Sequence, residues 1–287
     1  MIFQETPLQY FSFWDGIEMG LYFIIVGYFF LLFFYFLFMR YRTSKKPYWL
    51  FFSLFFLCFG LGRVFFIVYY FYAPELYPGI TGAEVVAFLM LYYRLATFFT
   101  WMGTACAVGV LGILLLPPET QSPKEIGGGM SKEEWLKNKN KKKVIIRIGL
   151  ICIPIIIGIL ALVLSDTLFM DPDFLDDYNI STITLETINI GSWQYPIGRF
   201  LLNFIFMPLS VVFIPFIFIY LAWKTFGVLR KSYALNAVGF FLYFIGRILQ
   251  GALDVASLPH LRATLPPLII LLALLILVMA NNYEQLK

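Results

Sequence analysis

Arg63 and Arg247 each follow a glycine deep inside a long apolar run, at Gly62-Arg63 and Gly246-Arg247. A guanidinium held at membrane depth costs roughly 2.5–3.5 kcal/mol on insertion scales, so each is expected to face a bundle interior and to meet an acceptor. Few acceptors are available. Asp254 lies seven residues beyond Arg247, about two helical turns along the same face, while Glu18 and Glu84 open other apolar runs. Asn203, Gln250 and Tyr92 would complete a polar cluster, with Arg94 nearer the surface. The planar guanidinium fork suits bidentate contact with a carboxylate or phosphate. The residues therefore predict an outward-opening pocket in which Arg63 and Arg247 attract a carboxylate, a phosphate or a lipid headgroup. The competing reading is structural: acids or helix carbonyls neutralise both arginines and stitch the bundle together. Arg94, Arg199 and Arg262 lie closer to span ends and are expected to snorkel toward headgroups or water.

The elements that position these residues follow from composition. The chain of 287 residues is 61% hydrophobic, 20% aromatic and 13% charged, against roughly 25% charged in an ordinary soluble domain. That excludes a soluble fold and predicts an all-α polytopic membrane protein, one domain over residues 1–287. Seven spans are expected, at about Gly16–Met39, Tyr48–Tyr72, Glu84–Leu116, Val144–Leu164, Arg199–Trp223, Ala234–Ser257 and Leu265–Ala280. Arg40, Arg42, Lys45 and Lys46, then the loop cations through Lys143, then Lys224, Arg230 and Lys231 fall on one side of these spans. Asp166, Asp171, Asp173, Asp176, Asp177 and Glu186 fall on the other. By the positive-inside rule the N-terminus is outside and the C-terminus cytoplasmic, in a multi-pass protein of the cell membrane. No cleavable leader is apparent, so the first span is expected to remain as an anchor and Met1 to be kept. Arg63 stands 15 residues after Tyr48 and Arg247 13 after Ala234, roughly 20 Å from the inner face at 1.5 Å per residue. Side chains lean toward a helix N-terminus, so both lean inward and snorkel outward poorly.

A shift of 184 positions lays Arg40 on Lys224, Leu37 on Leu221 and Gly62-Arg63 on Gly246-Arg247 without a gap. Spans one to three and five to seven start on the same side, as parallel repeats joined by span four do. This three-plus-one-plus-three arrangement, outside at the N-terminus and inside at the C-terminus, resembles the architecture shared by SWEET-type sugar transporters, microbial rhodopsins and G-protein-coupled receptors. The resemblance implies transport, light sensing or ligand sensing, and it covers the spans only. The sugar transporters carry prolines in the first two helices of each repeat, whereas spans one, two and six have none and span five has Pro208 and Pro215. Arg94-Leu95-Ala96 followed by Thr100-Trp101 is similar to the third helix of microbial rhodopsins. The retinal linkage of that family needs a lysine in the last span, and Leu265–Ala280 has none, so no cofactor is expected.

The remaining signals are weaker. Cys58, Cys106 and Cys152 fall within spans and are expected as packing residues, neither disulfide-linked nor metal-bound. Lys137, Lys139, Lys141, Lys142 and Lys143 are expected to attract anionic inner-leaflet lipids at about 1 kcal/mol each. The acids at 171–177 lack the glycine and terminal glutamate of a calcium loop and read as a solvated surface. Asn179-Ile180-Ser181 is a glycosylation acceptor pattern on the outer side. His260 reads as a loop residue. Gly103, Ala107, Gly109 and Gly112 make span three the expected central packing helix. The inner halves of the spans offer only scattered polar groups such as Ser53, Thr104 and Asn236, which argues against an open channel. The expected function is a receptor or sensor binding a small anionic or amphipathic ligand from outside and signalling through a cytoplasmic partner, or acting as a homo-oligomer. A transporter with rocking halves and a non-catalytic accessory subunit are the alternatives. No nucleophile and base are paired, so no enzyme is expected, and no nucleic-acid partner.

Overall fold

A computed structural model describes residues 11–75, 81–117, 132–180, 184–190, 193–255 and 258–282. Helix α1 (Phe13–Ser44) opens on a capping box, with Ser12 and Asp15 exchanging side-chain and backbone hydrogen bonds. Its last turns, Tyr35–Tyr41, widen to π-helix. Lys45 adopts a left-handed φ of 55° and ends it, and Pro47 fills the first turn of α2 (Pro47–Tyr72), where its missing N–H is no loss. Helix α3 (Gly82–Leu115) starts on a second capping box, Thr81 with Glu84. Its 34 residues measure about 50 Å at 1.5 Å each, more than a core of about 30 Å, so it tilts or projects.

Helix α4 (Lys132–Val163) differs from expectation. The lysine run predicted as a loop is helical, because lysine loses little side-chain freedom in a helix and keeps its charge in water there. Lys137, Lys139, Lys141 and Lys142 are exposed on this extension. The segment after α4 then folds as a 3-10 turn (Asp166–Leu168), the short helix α5 (Asp173–Asp177) and an antiparallel pair of β1 (Thr187–Ile190) and β2 (Trp193–Pro196), with Thr187 opposite Pro196 and Ile190 opposite Trp193. A run of turns, Ile197–Arg199, the π-helical Phe200–Phe206 and Met207–Lys224, forms α6. Helices α7 (Gly227–Val255) and α8 (Pro259–Asn282) complete the chain. Pro118, Gly127–Gly129, Ser181, Ser257 and Met1 lie outside the described residues.

The protein is thus a mostly helical membrane protein, and among the described residues six helices are long and apolar enough to cross a bilayer: Phe13–Ser44, Pro47–Tyr72, Gly82–Leu115, Lys137–Val163, Gly227–Gln250 and His260–Asn282. The described apolar part of α6, Val212–Lys224, is shorter than these. Neighbours pack in the order α3, α2, α1, α8, α7, α6, with α6 returning to α3, and α4 lies outside this ring against α3. Small residues let the helices close up. A Cβ on Gly62 would stand 3.2 Å from the Ala96 carbonyl and 3.1 Å from Thr100 Oγ1, and one on Gly109 2.7 Å from the Phe51 ring. Helix α3 is the most buried span, as the small residues predict, while α4 turns Ile145, Ile148, Ile153, Ile156 and Ile159 outward. The core of the ring is aromatic: Phe36 stacks between Trp49 at 5.5 Å and Phe56 at 5.6 Å, and Phe218 on Phe240 at 5.4 Å.

Candidate functional site

The capped start of α1, the end of α2, the last turns of α7 and the start of α8 meet around a cavity of about 210 Å³. Helix α1 supplies Asp15 and Glu18, three residues apart and so on one face. Helix α2 supplies Phe66, Tyr70 and Phe71, α7 supplies Arg247 and Gln250, and α8 supplies Arg262. One turn deeper on the same faces, Tyr22 follows Glu18 and Arg63 precedes Phe66. Arg63 is 4% exposed and its guanidinium lies over the Tyr22 ring, 4.3 Å from the centroid. Its Nη1 is buried without a hydrogen-bond partner.

Arg247 is half-buried, donates from Nη1 to Gln250 Oε1 at 3.4 Å and lies over Phe66 at 5.7 Å. Among the described residues no carboxylate comes within 4.0 Å of either Arg63 or Arg247. Glu18 is buried and faces Arg262, Oε2 to Nη2 at 3.6 Å. Asp15 is half engaged in capping its own helix, accepting at Oδ2 from the Ser12 backbone N–H at 2.8 Å. The described cluster therefore sets three guanidiniums, Arg63, Arg247 and Arg262, against two carboxylates, with aromatic rings on the α2 side. Guanidiniums so placed are donors for charge-assisted hydrogen bonds to an oxyanion, stronger where water is partly excluded.

Of the residues read from the sequence, Arg63, Arg247, Glu18 and Gln250 come together. Arg94 does not join them. It donates to the Leu162 and Leu164 carbonyls and pairs with Asp166 at 2.8 Å, holding the C-terminal end of α4, where a cation suits the unpaired carbonyls. Glu84 is spent on the α3 capping box, accepting at Oε2 from the Thr81 N–H at 3.0 Å. Tyr92 packs its ring against Phe65 at 6.2 Å. The side chains of Asn203 and Asp254 lie outside the described residues. Sequence reasoning passed over Asp15, Tyr22, Phe66, Tyr70 and Phe71. A visible signal existed for two of them: Asp15, Glu18 and Tyr22 recur at three- and four-residue spacing, the mark of one helical face.

Other polar groups have structural work. Arg199 is buried, not snorkelling. It donates from Nε to the Phe169 carbonyl and from Nη2 to the Tyr69 hydroxyl at 3.0 Å, pairs with Asp171 at 3.3 Å and sits 4.4 Å from the Tyr93 ring centre, pinning the segment after α4 to α2 and α3. His260 packs on Trp14 at 4.3 Å. On α5, partial burial and the neighbouring acids Asp171, Asp177 and Asp176 push the Asp173 carboxyl above its usual range. Asn179 is exposed in a left-handed turn, φ 51°. Cys58, Cys106 and Cys152 are free thiols. Among the described residues no group of three or more His, Cys, Asp or Glu could hold a metal ion.

At the opposite end of the bundle a second polar group closes the ring. Arg40 donates from Nη2 to Asn282 Oδ1 at 2.8 Å, Tyr48 to Asn281 Oδ1 at 3.3 Å, Asn281 Nδ2 to Asn236 Oδ1 at 2.9 Å and Ser232 to the Ala280 carbonyl at 2.7 Å. These bonds tie α1, α2, α7 and α8 together beneath the aromatic core. Nearby, Lys143 and Arg147 bond the Pro117 and Leu116 carbonyls that end α3.

No protein-family model matches the chain, and neither the curated proteins nor the solved structures yield a match. The fold and site alone define its class, a multi-pass helical membrane protein with a charged cavity at one end of the bundle.

Proposed function

We propose that this protein is a membrane receptor or sensor that binds a small anion through Arg63 and Arg247 in an outward-facing cavity and has no catalytic role. The observation that carries the reading is a cavity lined by Arg247 and Arg262, with the buried, unpartnered Nη1 of Arg63 one turn beneath it. A buried donor left open is costly, and a ligand oxygen would satisfy it. The cavity, at about 210 Å³, falls below the roughly 300–1,000 Å³ of drug-sized sites, which favours a small metabolite or a headgroup over a whole lipid.

The proposed topology has seven crossings, with α6 as the fifth, the N-terminus outside and the C-terminus in the cytoplasm. Supporting it are the length of the helical run at 197–224 and the cations at one end of the bundle. Two parallel repeats, α1–α3 and α6–α8, are also part of the reading. In each the middle helix packs on both neighbours, and the glycine before the deep arginine abuts the third helix, Gly62 on the Ala96 carbonyl and Gly246 on that of Pro266 at 3.3 Å. Output passes to a separate cytoplasmic partner or a second copy, with Lys137, Lys139, Lys141 and Lys142 against anionic lipid.

Binding of pentanoate and of inorganic phosphate to the protein in nanodiscs tests the site. The expected result is binding of at least one, lost in Arg247→Gln; undiminished binding in that variant sinks the reading. A transporter is favoured instead by the inner Arg40–Asn282 and Asn281–Asn236 bonds, a closure that can break and reform. Flux of bound anion into liposomes decides between the two.

A further inference from the structure

We infer that the ligand is a zwitterion, a small amino-acid-like molecule whose carboxylate meets Arg247 and Arg63 and whose ammonium meets Asp15 and Glu18. The inference rests on the anion-binding reading above and goes beyond it, because it concerns the cavity's other half.

A site evolved for a simple anion has no use for carboxylates in its wall, since like charge lowers affinity for the ligand it must hold. Here two of the lining side chains are acids, and both come from the first two turns of α1, while α7 and α8 supply the arginines Arg247 and Arg262. The capping box supplies the reason that Asp15 stays fixed. Its Oδ2 accepts from both the Ser12 N–H and the Ser12 hydroxyl, at 2.8 and 2.6 Å, which leaves lone pairs on the carboxylate for a further donor. Glu18 is held by Arg262 at 3.6 Å, longer than a close charge-assisted bond of about 2.7–2.9 Å, so it too retains acceptor capacity.

The wall between the two charged sides is aromatic. Phe66, Tyr70 and Phe71 line the cavity, and aromatic rings accept an ammonium over their faces as well as apolar methylenes. Arg247 already rests on Phe66 at 5.7 Å, so the same surface receives cations. A small molecule with opposite charges at its two ends places each beside its complement and leaves its carbon chain against the rings.

Three probes of equal chain length separate the contributions in calorimetric titrations of the full chain in nanodiscs: 5-aminopentanoate, pentanoate and pentylamine. The expected result is that 5-aminopentanoate binds at least about tenfold more tightly than either of the others, and that Asp15→Asn brings its affinity toward that of pentanoate. Glu18→Gln serves as a second variant in case Asp15→Asn fails to fold for want of its cap. Pentanoate binding as tightly as the zwitterion overturns the inference and leaves the anion site standing. Pentylamine binding most tightly overturns both, as does binding of no probe at all.

Discussion

Replacing Arg63 by Leu separates a ligand arginine from a structural one, because the two roles predict opposite signs for stability. The wild-type side chain is 4% exposed, with Nη1 unpartnered, and its one close stabilising contact is the Tyr22 ring at 4.3 Å. Holding the charge at that depth costs about 3 kcal/mol on insertion scales, and a desolvated cation–π contact returns about 2 kcal/mol. Leucine keeps much of the apolar stem contact and removes both terms. Glu18 keeps Arg262 as its partner at 3.6 Å. The variant should therefore be as stable as the wild type or about 1 kcal/mol more stable, while pentanoate and 5-aminopentanoate binding falls. Were Arg63 half of a buried ion pair, its removal would instead cost about 3–5 kcal/mol. Reversible unfolding in mixed micelles, read beside the nanodisc titrations, resolves a gap of that size. A loss of about 3 kcal/mol with binding unchanged would refute the reasoning and return Arg63 to the role of a stitch.

Arg199→Ala should be strongly destabilising, by about 3 kcal/mol, because it strips the Phe169 carbonyl, Asp171 and the Tyr69 hydroxyl of one shared donor; thermal unfolding and protease sensitivity of the segment between α4 and α6 would both report it. Gly62→Val should cost about 1–3 kcal/mol by forcing α2 off α3, where the Ala96 carbonyl and Thr100 stand 3.2 and 3.1 Å from a new Cβ, whereas the same change at Gly149, which meets nothing, should be near neutral apart from propensity. Asn281→Ala breaks the bonds from Tyr48 and to Asn236 and should lower stability by about 1–3 kcal/mol; unaltered unfolding would remove the inner closure from the argument. The Asp173 carboxyl is raised in the folded state by burial first and acidic neighbours second, so the folded protein binds its proton more readily than the unfolded chain does. Its ionisation therefore opposes folding, stability of the segment carrying α5 should fall as pH rises from its usual carboxylate range upward, and Asp173→Asn should flatten that slope in hydrogen-exchange measurements.

The sequence by itself determined the solvent of this protein. A chain so rich in apolar and aromatic residues has nowhere to put them but lipid and one another, and six of the expected runs stand as helices long enough to cross. It also singled out Arg63, Arg247, Glu18 and Gln250, because a charge or amide amid apolar residues is visible without coordinates. Only the tertiary structure decided which polar residues meet. Arg94 and Glu84 join the expected site along the chain and Arg199 reads as a span-end cation, yet a helix C-terminus, a helix N-terminus and the buried Phe169 carbonyl claim them. The helical extension carrying the lysines and the hairpin at 187–196 were likewise hidden, since a polar run reads the same in a loop and on a solvated helix. The physical reason is range: transfer energy is a sum over single residues and so can be read in order. The partner of a charge depends on the rotation of each helix about its axis, and packing across the whole bundle sets that angle.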